Sequence, residues 1–200
     1  MKSKRSKLLH ELCGRSMLSY AITAATALEP DHLVVVVGHE REQVAAHVHE
    51  IAPYAVQAVQ EPQLGTGHAV RIGLEALDEP SGEIVVTYGD VPLLTGETLA
   101  GLVAEHRAAA NAVTVLTSIV DSPVGYGRIV REHGRVTRVV EEKDATDDER
   151  GIREINSGIY VFDAATLREG LAAAIIRCLS RCRTVKSRTK TLRHPDRSRA

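Results

Sequence analysis

The 200-residue sequence has no tryptophan and one phenylalanine, so a core must be assembled from Val, Leu, Ile and Ala. Its three cysteines, Cys13, Cys178 and Cys182, are few and odd in number, which implies no disulfide framework. The C-x-x-x-C spacing of the last two has no partner ligands nearby, and this argues against a metal site there. No apolar run approaches the ~20 residues of a bilayer span, and the basic N-terminus leads into no signal-type core. These absences count against membrane insertion and secretion, and a cytoplasmic location is expected. What is present is ordinary for a globular protein: 44% apolar and 26% charged residues. The length suits one sizeable α/β domain, or such a domain plus a tail.

The net charge of −1 hides an asymmetry. Residues 175–200 carry nine Lys or Arg against Asp196 alone, a charge of +8, which leaves −9 on residues 1–174. Apolar periodicity fades after Leu179. A basic tail of this kind can bind nucleic acid electrostatically, or it can be an end that never packs. The second reading is preferred, and nucleic acid is not expected as a partner.

Between residues 16 and 174 helix-like and strand-like segments alternate. Ser16 caps a predicted helix over 17–29 that Pro30 ends. The β-branched run from His32 to Gly38 reads as a buried strand. A helix near 40–51 follows, with Val44, His47, Val48 and Ile51 on one face. Tyr54–Gln60 and Glu83–Tyr88 read as strands, separated by a helix near 66–78. A further helix over 95–109 begins after Thr95, and a strand covers Ala112–Val120. Residues 127–140 then form a hairpin about His133-Gly134, and Glu154–Phe162 is another strand. Such alternation implies an α/β fold with a mostly parallel, doubly wound sheet, in which ligands bind beyond the carboxyl ends of the strands.

That geometry selects the chemistry. Asp90, in TYGDVPLL, emerges from a buried strand where a carboxylate suits Mg²⁺, although a turn aspartate that caps the next segment fits the same position. In QLGTGHAV, residues 63–70, two glycines let backbone approach a ligand ahead of the free N–H groups of a helix, or make an ordinary turn. His68 is given no role. In SPVGYGRI, Gly125 and Gly127 bracket Tyr126 in what reads as a mobile loop able to lie against a sugar or phosphate. Glu141 and Asn156 are polar groups at strand ends, able to hydrogen-bond sugar hydroxyls.

Taken together, YGDVPLL, QLGTGHA, GYGRI, VVEEKDAT and REINSGIYVF stand in an order that resembles one family. It is the uridylyltransferase half of the bifunctional N-acetylglucosamine-1-phosphate uridylyltransferase/glucosamine-1-phosphate acetyltransferases. KSKRSKLLHELCGRSML is similar to the segment after that family's glycine-rich signature, and the resemblance covers roughly residues 1–172. It implies a Rossmann-like nucleotide-diphospho-sugar transferase fold and transfer of uridylyl from UTP to N-acetylglucosamine 1-phosphate, with Mg²⁺ as cofactor. It implies roles residue by residue. Lys7 meets a phosphate, although serine stands at position 6 where the family usually has proline. Gln60 reads the uracil edge, and Gly65 and Thr66 complete the base pocket. Asp90 ligates Mg²⁺, flanked by Tyr88 and Gly89 at the sugar site. Gly127, Glu141 and Asn156 bind N-acetylglucosamine. Another sugar 1-phosphate is the alternative substrate, and nucleic-acid binding through the tail is the alternative of another class.

The resemblance also implies departures. Met1 aligns with the last residue of the glycine-rich signature, so the first strand and glycine-rich loop are expected to be missing from an incomplete domain over 1–174. Residues 175–200 read as a disordered or frame-shifted tail. The acetyltransferase half and the trimer surface of the family have no counterpart. Impaired or absent activity is the expectation that follows.

Overall fold

The computed structural model describes residues 5–38, 41–179 and 189–193. Their chain divides into two compact units: the first falls within Met1–Gly82, Tyr88–Gly101 and Leu167–Ser180, and the second within Glu83–Thr87, Leu102–Thr166 and Arg181–Ala200.

The first unit opens with a 3₁₀ turn at Lys7–Leu9, a two-residue hairpin of β1 (Glu11–Leu12) and β2 (Arg15–Ser16), and helix α1 (Met17–Thr26). Ser16 caps α1 as its sequence position implied, its Oγ accepting the Ser19 N–H at 3.0 Å. The helix stops earlier than the expected 29. Pro30 bars the residue before it from the helical region, and Glu29 turns to φ +51°. Strand β3 (Val34–Val37) then pairs in parallel with β4 (Val56–Val59), the two joined by α2 (Arg41–Ile51). Val44 and Val48 of α2 are buried with Leu9, Leu18, Ile22, Val37 and Ala52 in a cluster that is aliphatic throughout. Helix α3 (Thr66–Glu75) lies close on β3, where a Cβ at Gly73 would stand 3.2 Å from Val36.

The second unit is built on a six-stranded sheet. Strand β5 (Glu83–Val86) opens it, and α4 (Gly96–Ala108) leads to β6 (Val113–Ile119). The expected hairpin is β7 (Arg128–Glu132) and β8 (Arg135–Val140), turning through His133 and Gly134 at φ +50° and +78°. Two successive positive φ values are what a two-residue hairpin turn needs. Helix α5 (Asp147–Arg150) precedes β9 (Glu154–Asp163), which pairs antiparallel with β5, β6 and β7. The sheet is thus mixed, and among the described strands parallel pairing is confined to β3–β4 and to β6 with β10 (Thr189–Arg193). Helix α6 (Ala164–Leu179) follows β9, and its first turn is capped by Asp163 Oδ1, which accepts the Thr166 N–H at 2.8 Å.

Within the basic segment, α6 runs to Leu179 and residues 189–193 pair with the sheet edge at β6. An edge strand offers unpaired N–H and C=O groups that such a segment satisfies. Cys182 and the rest of that segment lie outside the described residues. No described helix is long and apolar enough to cross a membrane.

Candidate active site

Lys7 sits on the first 3₁₀ turn, held by Leu8 and Leu9, which pack with the first unit's core. Asp90 follows Tyr88-Gly89 in the same unit, and Gly89 is there for space: a Cβ would come within 3.0 Å of Leu18 and 3.2 Å of Leu8. This packing brings together two residues 83 positions apart, and Lys7 Nζ donates to Asp90 Oδ2 at 2.7 Å. The hydrogen bond and the charge of Asp90 raise the Lys7 pKa, so the ammonium stays protonated. Lys7 remains 65% exposed and Asp90 32%. Among the described residues no group of three or more His, Cys, Asp or Glu could hold a metal ion. A lone carboxylate still fits Mg²⁺, which commonly takes one or two carboxylates and completes its shell with substrate phosphates.

Gln60, Gly65 and Thr66 form a second group in the first unit. Gly65 precedes α3 at φ +100° and ψ 178°, a backbone region open essentially to glycine. Its carbonyl accepts from Gln60 Nε2 at 2.9 Å. The same Nε2 lies 3.1 Å from His68 Nδ1, so the histidine given no role in the sequence orients the glutamine amide. Both amide hydrogens are engaged in this arrangement, and Gln60 Oε1 is the group left to meet a donor. Tyr88, at the mouth of Asp90's loop, is 40% exposed.

In the second unit Gly127, Glu141 and Asn156 converge. A Cβ on Gly127 would lie 3.4 Å from Glu141 Oε1 and 3.6 Å from Asn156 Cβ. The Gly127 carbonyl accepts the Asn156 N–H at 2.8 Å. Asn156 stands where the β6–β9 register shifts, Thr117 facing Asn156 while Val115 faces Tyr160. That bulge explains the N-S-G of the motif. Ser157 Oγ donates to Leu116 O at 2.7 Å, and Gly158 takes φ +76° while its N–H meets Asn156 Oδ1 at 3.0 Å.

The loop between Pro123 and Gly127 is tied to neighbouring side chains. Glu142 Oε2 accepts the Gly125 N–H at 3.0 Å and Arg128 Nη2 at 2.7 Å, and Arg128 Nη1 donates to Tyr126 O. Neither Arg128 nor Glu142 stood out in the sequence, because an ion pair across 14 positions leaves no local pattern. A nearer signal was available at Thr146-x-x-Glu149, a capping box formed in full at the start of α5.

In α/β sheets, polar groups gathered at strand ends stand where ligands bind. Residues 1–157 match the MobA-like NTP transferase domain, and the chain belongs to that family. It is 63% identical over 172 residues to the bifunctional protein GlmU of Cutibacterium acnes, a match covering 86% of this chain and 41% of that protein. The GlmU of Thermobifida fusca is 55% identical over 174 residues, 84% of this chain and 36% of that one. The chain therefore spans about two fifths of the length of these relatives. They bear out the resemblance to the uridylyltransferase part of the bifunctional family. Among solved structures, HddC from Yersinia pseudotuberculosis superposes with a TM-score of 0.72 at 15% identity, covering 96% of this chain and 83% of that one. A putative glucose-1-phosphate thymidylyltransferase from Bacillus anthracis gives 0.68 at 14% identity over 94% of this chain and 78% of its own. At such identity these two speak for the fold alone.

Proposed function

We propose that the chain carries the uridylyl-transfer chemistry of the GlmU family, with UTP and N-acetylglucosamine 1-phosphate as substrates and Mg²⁺ as the metal. The observation that carries this reading is the Lys7–Asp90 contact of 2.7 Å in a chain 63% identical to a GlmU. A lysine and a carboxylate drawn together from distant positions supply one group for a phosphate oxygen and one for a divalent cation.

In the reaction, a phosphate oxygen of N-acetylglucosamine 1-phosphate attacks the α-phosphorus of UTP in line, and the bond to pyrophosphate breaks. The nucleophile arrives ionised, so the protein need supply no base. Its work is positioning and the neutralisation of charge. Lys7 Nζ exchanges Asp90 for a phosphate oxygen. Asp90 is the residue that would hold the metal, which when bound would supply neutralisation of charge on the transferring group. Gln60 Oε1 accepts from the imide N–H of uracil, with Gly65 and Thr66 bordering the base. Gly127, Glu141 and Asn156 hold the acetamido and hydroxyl groups of the sugar, and Tyr88 and Gly89 flank Asp90 within the first unit. A cytoplasmic location belongs to this reading, since UTP is found there.

Titration calorimetry of the full chain with UDP-N-acetylglucosamine, UDP-glucose and GDP-mannose, with and without Mg²⁺, tests the proposal. Mg²⁺-dependent binding that favours UDP-N-acetylglucosamine is expected. Equal binding of the other sugar nucleotides would overturn the sugar assignment, and no binding of any would overturn the whole reading.

A further inference from the structure

We propose that Glu142, acting with Arg128, is a positioning residue for the sugar subsite. It rests on the function proposed above and adds two residues that touch no substrate in that scheme. Arg128 is 1% exposed and yet charged, so its burial requires acceptors. Its Nε has none among the described residues, which leaves the two terminal nitrogens to hold the guanidinium. One donates to Tyr126 O, and the other to Glu142 Oε2 at 2.7 Å, with Arg150 O at 3.5 Å. The Arg128 backbone faces Val140 on one side and Ile155 on the other, the neighbours in sequence of Glu141 and Asn156. The guanidinium is thus anchored on the strand that lies between the two sugar ligands.

A single carboxylate oxygen of Glu142 completes the device. It takes the Gly125 N–H at 3.0 Å and the Arg128 N–H at 2.7 Å, so one atom ties the loop's Gly125 to the buried cation that holds Tyr126. The Asn156 N–H fixes Gly127 from the other side at 2.8 Å. Residues 125, 126 and 127 are each bonded in turn, and Gly127 is where Glu141 and Asn156 converge. Without the Glu142 carboxylate, Gly125 loses its acceptor and Arg128 keeps one firm partner. The loop and the sugar-facing backbone would then sample other positions, while the nucleotide groups of the first unit keep their own bonds.

The test compares the full chain with Glu142→Ala and Glu142→Gln. Amide exchange at Gly125 is followed by NMR, and affinities for N-acetylglucosamine 1-phosphate and for UTP by calorimetry with Mg²⁺. In Glu142→Ala, Gly125 exchange is expected to quicken and sugar-phosphate affinity to fall, each about tenfold, the scale of one lost charge-assisted hydrogen bond. UTP affinity should hold. Glu142→Gln, which keeps an acceptor without the charge, should fall between, and it carries the comparison alone if the alanine variant does not fold. Unchanged Gly125 exchange, unchanged sugar-phosphate affinity, or equal losses for both ligands would each overturn the role of Glu142. A wild-type chain that binds neither ligand would instead overturn the functional reading beneath it.

Discussion

The two units keep their polar groups in opposite ways. Of the eight buried polar or charged residues described, Ser16 alone belongs to the first unit; His106, Asn111, Thr114, Thr117, Arg128, Glu149 and Glu154 belong to the second. The first unit pairs Lys7 with Asp90 in the open over an aliphatic core, and an exposed pair costs little to separate. The second locks its polar groups into connected networks. Arg131 forks onto Glu154 at 2.7 and 2.8 Å, and Thr117 donates to the same carboxylate at 2.8 Å. Buried networks of this kind fix geometry, because any partly satisfied arrangement is costly. The difference teaches that the first unit leaves its charged pair where partners can exchange, while the second fixes its polar groups in place.

Four measurements would break or sharpen this contrast. Glu154→Ala leaves the Arg131 guanidinium without its carboxylate in a mostly buried setting, and should cost about 3 kcal/mol in urea unfolding. Asp90→Asn should leave stability nearly unchanged yet, on the proposed role of Asp90 as metal ligand, weaken Mg²⁺-dependent UTP binding about a hundredfold. If Asp90→Asn instead unfolds the protein, the first unit's pair is structural and the contrast fails.

The third test is a pH titration of stability. Burial holds the His106 pKa below its ordinary value, beside Thr114 at 2.9 Å. The unfolded chain therefore binds its proton first, and stability should fall as pH drops below about 6.5, levelling off once pH passes the folded value. His106→Gln should remove that slope. Carboxylates depressed by their partners behave differently. Glu142, held down chiefly by its bond from Arg128 and next by Gly125, and Asp163, by its bonds from Thr166, contribute above the usual carboxylate range. Their contribution is lost only as pH falls through their lowered values. The smallest effect is expected for Lys7→Met, which should move the unfolding free energy by no more than about 0.5 kcal/mol, as for other exposed pairs.

Much of the scaffold was legible because it obeys local rules. Ser16 as a cap, the Val44/Val48 face of α2, the β-branched run of β3 and the His133-Gly134 turn each announce themselves within a few residues. The end of α1 did not, because Pro30 acts one residue earlier through Glu29. Helix α6 was missed although Asp163 caps it, since its alanine-rich start has no sharp apolar stripe. The site residues were readable as motifs, but their joining was not. His68 beside Gln60 and Glu142 beside Arg128 are contacts made by tertiary folding, and one histidine or one second glutamate in sequence carries no sign of them.

The exposed Lys7–Asp90 pair has a kinetic consequence. A polyphosphate drifting toward this face meets an ammonium already neutralised at 2.7 Å, so little field reaches beyond it to draw the ligand in. Without a divalent cation, encounter should be slow and nearly indifferent to ionic strength. Once a cation occupies the carboxylate, Lys7 regains its charge, and capture should quicken and become sensitive to salt. Stopped-flow association at several salt concentrations reads this directly. On the proposed function, the pair would act as a mask on the electrostatic face of the first unit, lifted when a divalent cation takes Asp90.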